Sequence, residues 1–269
     1  MDLKVLGLLA VQERGTPIVP AAAPARQLLA LLAAHADRIV PTAVLTQELW
    51  PDGAPRHAQD MIETHVRRLR ELIDDALDVG REEVAATPAG PDAPAASGPR
   101  TARDVVVSLA GGYLLGTGGG SSDVRMFQRA VGAGYRAMEL EDYRTAAERL
   151  GEALELWTAD AYTGVVAGPH LRAHGARLEL SRLRALDLWV EAQRRLGRRH
   201  ELYSGLSVFL SRFRSSPPQY AALVAELERG AAQGFAGRSY EQAPSFRIGP
   251  VLHSLRHART TRHPLPVAG

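Results

Sequence analysis

His57, Met61, Thr64, His65, Arg67, Arg68 and Arg70 crowd into one short stretch whose apolar members, Ile62, Val66, Leu69 and Ile73, recur at i, i+4, i+7 and i+11. That spacing makes a single buried stripe on an α-helix. At roughly 100° per residue, Asp60, Thr64, Arg67 and Glu71 then face away from the stripe, with His57, Met61 and Arg68 beside them. Guanidinium forks donate in pairs to phosphate oxygens or to the O6 and N7 edge of guanine. The chemistry such a face can do is therefore noncovalent recognition of nucleic acid. Taken alone, the same pattern also describes a solvated amphipathic helix. The segments around it have to decide.

Reaction chemistry finds no support. His170 with His174 and His253 with His257 stand at i, i+4, a zinc-compatible spacing, but no motif supplies a third ligand. Surface or capping roles are expected for all four. No Walker A run and no Gly-x-Ser-x-Gly elbow occurs, and Lys4, the single lysine, sits in a strand-like segment. The glycines of Gly116 to Ser122 lack the Lys-Ser/Thr that a phosphate loop needs. Glu139, Glu141 and Asp142 fall at a turn and read as solvated or capping groups. The expectation is no catalytic residue, no metal and no cofactor.

With 269 residues, 45% of them hydrophobic and 23% charged, the chain can bury a sizeable core and is expected to form two domains. There is no apolar run of membrane-spanning length, and the opening Met-Asp-Leu-Lys lacks a basic n-region, so no membrane association and a cytoplasmic location are expected. The absence of cysteine excludes disulfides and thiolate metal sites. Residues 1–120 carry 11 basic and 15 acidic side chains, whereas 121–269 carry 21 and 15. An acidic first half argues against nonspecific phosphate binding and requires local clustering, which Arg67, Arg68 and Arg70 provide.

In the first half, alternation at Leu3, Val5, Gly7 and Leu9 and the run Pro17 to Pro20 suggest short strands around a turn at Glu13–Gly15. Pro24 opens a helix ending near Asp37, with Leu28, Leu31, Leu32 and His35 on one side and Leu29 flanking. A second helix follows Pro41, with Thr42 as N-cap, and Pro51–Pro55 breaks the chain ahead of the basic-faced helix. Residues 85–104 have no period and read as a flexible insertion. Val105–Leu109 and Tyr113–Leu115 around Ala-Gly-Gly give a strand-turn-strand signal. Strands, three helices and a closing hairpin describe a winged helix-turn-helix over residues 1–116, the third helix entering the major groove. A generic small α/β domain is the alternative.

Residues 117–122 read as a glycine-serine linker, with Ser122 able to cap the next helix. From Asp123 the period is helical: Phe127, Ala130, Val131, Gly134, Tyr135 and Met138 on one face, then Tyr143, Ala146, Ala147, Leu150, Ala153, Leu154 and Trp157 after a turn. Small residues opposite aromatics across a short turn resemble a tetratricopeptide repeat. A second pair is suggested around the turn Gly197–His200 and a third from Pro217 to Ala231. No strict period holds, so a plain helical bundle stays open. The reading is mainly α with small β: a winged helix-turn-helix followed by an all-α tetratricopeptide-like domain over 123–255, then a disordered basic tail over 256–269 carrying Arg256, Arg259 and Arg262.

The run Leu29 to Val40, then Leu45 with Glu48-Leu-Trp50, Ala58, Thr64-His-Val66, Leu69-Arg70 and Gly112-Tyr113, resembles the DNA-binding domain of the Streptomyces antibiotic regulatory protein family. Asp123 to about Phe213 resembles that family's bacterial transcriptional activation domain, and Gly249 to Leu255 its closing helix. The resemblance implies a homodimeric activator that binds direct repeats in double-stranded promoter DNA of antibiotic biosynthetic genes and contacts RNA polymerase. It implies a DNA interface of His57, Met61, Thr64, His65, Arg67, Arg68, Arg70, Gly112 and Tyr113, with His65 and Arg70 nearer the phosphates. Asp60 stands where many relatives have asparagine, and Leu114 where arginine commonly follows Gly-Tyr. Arg100 and Arg103 are candidates to replace that wing contact. The competing functions are a protein-interaction scaffold built on the helical repeats, and a repressor.

Overall fold

The computed structural model describes residues 1–85, 100–212 and 218–232. Strands β1 (Asp2–Lys4), β2 (Ala10–Glu13) and β3 (Thr16–Pro17) form an antiparallel sheet in that order, with Leu3 opposite Val11 and Glu13 opposite Thr16. Arg14 and Gly15, both at positive φ, close the β2–β3 turn. Val5 to Leu9 leaves the sheet instead of prolonging β1, because its backbone is engaged elsewhere, as described below.

Helix α1 (Ala23–Ala34) ends three residues earlier than the sequence suggested and is not one-sided: Ala25 and Gln27 through Ala33 are all buried. It lies between the rest of the first half and the helical second half, so both faces lose water. Strand β4 (Ile39–Pro41) leads into α2 (Thr42–Leu49), whose N-cap is Pro41; Thr42 is the first helical residue and not the cap. Helix α3 (Ala58–Ala85) buries Ile62, Val66, Leu69, Ile73, Ala76 and Leu77. The expected flexible insertion is ordered at its far edge, where Thr101 and Asp104 close a capping box on the short helix α4 (Ala102–Val105). Residues 86–99 lie outside the described residues. Strands β5 (Val106–Leu109) and β6 (Gly112–Leu115) make the hairpin, and β4 joins it in the order β4-β6-β5, with Val40 opposite Tyr113.

The second half is a series of helical hairpins. Ser122 caps α5 (Asp123–Glu139) by accepting from the Arg125 amide, and Asp142 caps α6 (Tyr143–Glu155) by accepting from Thr145. Gly134 lets these two helices close up: a Cβ there would come within 2.5 Å of Leu150 Cγ. Phe127 meets Trp157 edge to face at 5.5 Å. The helices α7 (Pro169–Arg195), α8 (Arg199–Arg212) and α9 (Pro218–Ala232) follow. Arg182, nearly fully buried, pairs with Glu179 and Asp160 and lies over the rings of Trp157 at 4.7 Å and Phe209 at 5.4 Å. Tyr220 donates to Asp187, which ties α9 to α7. Contacts divide the chain at Glu228; of Arg229–Gly269 only the last turn of α9 is among the described residues. Gly249–Leu255, the pair His253 and His257, and the basic tail fall outside them.

The stretch Gly116–Ser122 is not a free hinge. Thr117 is buried and gives both its amide and hydroxyl to Asp37, while Ser121 donates twice to Asp2 and its carbonyl accepts from the Leu3 amide at 2.9 Å. Arg125 of α5 also pairs with Asp37. Across the junction two buried carboxylates work reciprocally. Asp123 Oδ2, from the helical half, accepts from the Val5 and Leu6 amides at 2.6 and 2.8 Å. Glu48, from α2, accepts from the amides of Gly168 at 2.6 Å, His170 at 2.8 Å and Leu171 at 3.1 Å, so it caps the start of α7. Amides of Thr158, Tyr162 and Thr163 donate to Leu6, Val5 and Gly7 carbonyls, which is what holds the Val5–Leu9 backbone out of β1.

Candidate nucleic-acid interface

Helix α3 presents the face its period demanded. With its apolar stripe in the core, His57, Asp60, Met61, Glu63, Thr64, Arg67, Arg68 and Glu71 are all exposed. Arg67 and Arg68 make no hydrogen bond or ion pair within the described residues, so both forks are available to a ligand. Neither is covered by the helical half. Thr64 gives its hydroxyl proton to the Asp60 carbonyl at 2.9 Å, leaving its methyl and oxygen lone pairs outward. His57 stands 3.7 Å from the Asp60 carboxylate, and Met61 is 40% exposed between them and the arginines.

The remaining predicted members occupy different positions. Arg70 is committed to the wing: its Nε and Nη2 donate to the Val106 carbonyl at 3.1 and 2.6 Å, and Nη2 also reaches Ser108 Oγ at 2.8 Å. It ties α3 to β5 and is not a free phosphate donor. His65 is half-buried, its Nε2 has no partner, and burial pulls its pKa below the usual histidine range. A neutral ring is what that environment favours. Gly112 is pressed against β4, where a Cβ would meet the Val40 carbonyl oxygen at 2.5 Å. Tyr113 is only 7% exposed, and burial together with the Glu63 carboxylate raises its phenol pKa. These two residues shape the wing from inside. Arg100, proposed as a substitute contact, is held by Glu13 and the Gly116 carbonyl instead.

Between α3 and the wing runs a groove of about 980 Å³. Arg67 and Arg103 line it, and so do Asp60, Glu63, Glu71 and Asp74. The carboxylates make this wall a poor generic binder of phosphate and a better discriminator, since each disfavours an approach that puts phosphate oxygens beside it. Asp74 is partly occupied, accepting from the Ala102 amide at 2.9 Å. Gln59, whose amide donates to Glu63 at 2.9 Å, and Glu63 itself share the exposed face and were missed from sequence. Glu63 stands one turn before Arg67, and Gln59 one turn before Glu63, and that i, i+4 spacing was the available signal. Among the described residues no cluster of three or more histidines and carboxylates could hold a metal, and no helix is long and apolar enough to cross a membrane. His170 bonds Gln47 and His174 bonds the Tyr162 hydroxyl.

Comparison with known proteins agrees with this architecture. Residues 16–84 match the family "Transcriptional regulatory protein, C terminal", and residues 122–245 match "Bacterial transcriptional activator domain". The regulatory protein DnrI of Streptomyces peucetius is 34% identical over 246 residues, covering 91% of this chain and 82% of that protein. The transcriptional regulatory protein MoaR1 of Mycobacterium tuberculosis is 27% identical over 158 residues, which is 58% of this chain and 44% of MoaR1. The solved structure of Mycobacterium tuberculosis EmbR in complex with a low-affinity phosphopeptide superposes with a TM-score of 0.61 at 23% identity, covering 77% of this chain and 49% of EmbR. The chain thus spans about half the length of EmbR, whose likeness speaks to fold. With a DNA-binding winged helix ahead of a helical activator domain, and 34% identity to DnrI over 91% of its length, the chain belongs to the Streptomyces antibiotic regulatory protein family of transcriptional regulators and is not an enzyme.

Proposed function

We propose that the chain is a sequence-specific transcriptional activator of secondary-metabolite biosynthetic genes, acting in the cytoplasm as a homodimer on direct repeats in promoter DNA and recruiting RNA polymerase. The observation that carries the reading is the pair of unengaged guanidinium groups, Arg67 and Arg68, on the exposed face of a helix anchored along its whole opposite side. His57, Met61 and Thr64 extend that face, His65 is half-buried beside it, Arg70 ties it to the wing, and Gly112 and Tyr113 shape the wing from its central strand. Residues 1–116 serve as the reader, 117–122 as the strap, and 123–255 as the polymerase- and dimer-facing module.

Titration of a cognate promoter fragment at several salt concentrations tests it. Arg67→Ala or Arg68→Ala should weaken binding by roughly 1–3 kcal/mol and relax specificity where the contact is to a base. A phosphate contact should instead reduce the salt slope by about one. Unchanged affinity, specificity and salt slope in both variants would refute the docking. A scaffold reading, favoured by the four carboxylates of the groove, requires that no shift occur at physiological salt.

A further inference from the structure

The helical half carries a second concavity, about 720 Å³, between α6, α7 and α8 and away from the DNA-facing helix. Its floor is apolar: Trp189 and Phe209 are buried beneath it, and Val208 projects into it 48% exposed. Gly205 lies against the Trp189 ring with no room for a Cβ, so α8 closes directly onto the indole at the groove floor. Two uncharged polar side chains, Ser204 and Gln193, interrupt this floor, and Ser204 is engaged with the Glu201 carbonyl. Gln193 is 6% exposed, lines the groove, and its Oε1 is a buried acceptor with no hydrogen-bond partner. A buried acceptor left unmade costs free energy that the fold itself does not recover. The wall contributed by α6 carries Glu148, Glu152 and Glu155, all exposed, against Arg212 on the α8 side. Glu152 is engaged with Arg149, whereas Glu148 and Glu155 make no ion pair among the described residues.

An apolar floor, an orphaned acceptor within it and an acidic rim together specify the occupant's chemistry. We infer that this groove binds a cationic amphipathic peptide segment of another protein, one that seats an apolar side chain on Trp189 and Val208, donates a hydrogen bond to Gln193 Oε1, and sets arginines against Glu148 and Glu155. The donor requirement separates this occupant from a purely apolar one, because only a donor satisfies Gln193. The sign of the rim excludes an acidic segment, which would meet like charge on entry. The inference does not rest on the DNA-docking reading, since every residue it uses lies in the helical half.

The test uses the full chain, without DNA, and a fluorescein-labelled peptide of two Leu-Arg-Arg-Leu-Leu-Arg repeats, followed by fluorescence anisotropy. The control peptide replaces each Arg with Glu. The arginine peptide should bind at least tenfold more tightly than the control. Val208→Arg, at an exposed position that leaves the core untouched, should weaken it about tenfold, and Glu148→Arg with Glu155→Arg should do the same. Gln193→Leu should weaken peptide binding severalfold while leaving thermal stability equal or higher, because it removes an unsatisfied acceptor. Equal binding of the two peptides, or arginine-peptide affinity unchanged by Val208→Arg and Gln193→Leu, overturns the inference. Promoter affinity measured on the same variants should not move, which keeps failure here distinct from failure of the DNA reading.

Discussion

Glu48→Gln is the sharpest probe of how the two halves are joined. Glu48 is fully buried, and its two oxygens are filled: Oε1 accepts from Gly168 N at 2.6 Å and Gln27 Nε2 at 3.2 Å, and Oε2 accepts from His170 N at 2.8 Å and Leu171 N at 3.1 Å. Glutamine keeps the shape but exchanges one oxygen for an amide NH2. Placed toward His170 and Leu171, that NH2 points donors at donors, so two charge-assisted bonds at the start of α7 are lost, each worth about 1.5–3 kcal/mol. The negative charge opposite the helix N-terminus is lost as well, a further ~0.5–1 kcal/mol. Some relaxation recovers part of this, and the net loss should be about 3 kcal/mol. For a cooperative unit of this size that corresponds to a fall in Tm of roughly 6–12 °C. Urea unfolding followed by circular dichroism, with thermal melts alongside, measures both quantities. A variant within about 0.5 kcal/mol of the parent, the range of ordinary surface substitutions, would show that Glu48 does not hold the junction.

The arginine substitutions on α3 form a second prediction, with affinity loss or a flatter salt dependence read from promoter titration as described above. Gly112→Ala should destabilise by about 1–3 kcal/mol, because the new Cβ would sit 2.5 Å from the Val40 carbonyl and neither backbone can yield without parting β4 from β6; the urea midpoint reports it. His174 supplies a pH dependence. Burial, with Arg177 and His35 adding to it, pushes its pKa from 6.5 down to about 4. The folded chain therefore binds fewer protons than the unfolded chain between those values, so stability falls as pH drops from about 6.5 toward 4. After discounting for partial exposure the loss is about 2 kcal/mol, and His174→Gln should flatten the pH profile of the urea midpoint; an unchanged profile would refute the assignment. The peptide-binding comparison at the Gln193 groove is the remaining test.

Helix α3 was legible because its evidence is local: four apolar residues at helical spacing fix which side is buried, and the exposure of Arg67 and Arg68 follows from geometry alone. The hairpin was legible for a similar reason, since Gly111 at positive φ between two β-rich runs specifies a turn. The fine assignment of the interface was less so. Arg70 carries the same side chain as its neighbours, and only its distance from β5, 36 residues onward, turns it from a ligand-facing group into a strut.

The chain order alone contained the periods, turns and family-like runs that set which segments are helices, which are strands and which face is basic, because those properties depend on neighbours within a turn or two. It did not contain the junction. Glu48 meets α7 some 120 positions downstream, Asp123 meets Val5 across a similar interval, and a strap rich in glycine and serine is anchored by Asp37 and Asp2. A buried carboxylate is stable only where several donors converge on it, and no local pattern states where distant amides will lie. That convergence arises only when both halves have folded and come together, and it is why a sequence that reads as two domains on a flexible link is built as one stitched body from Met1 to Glu228.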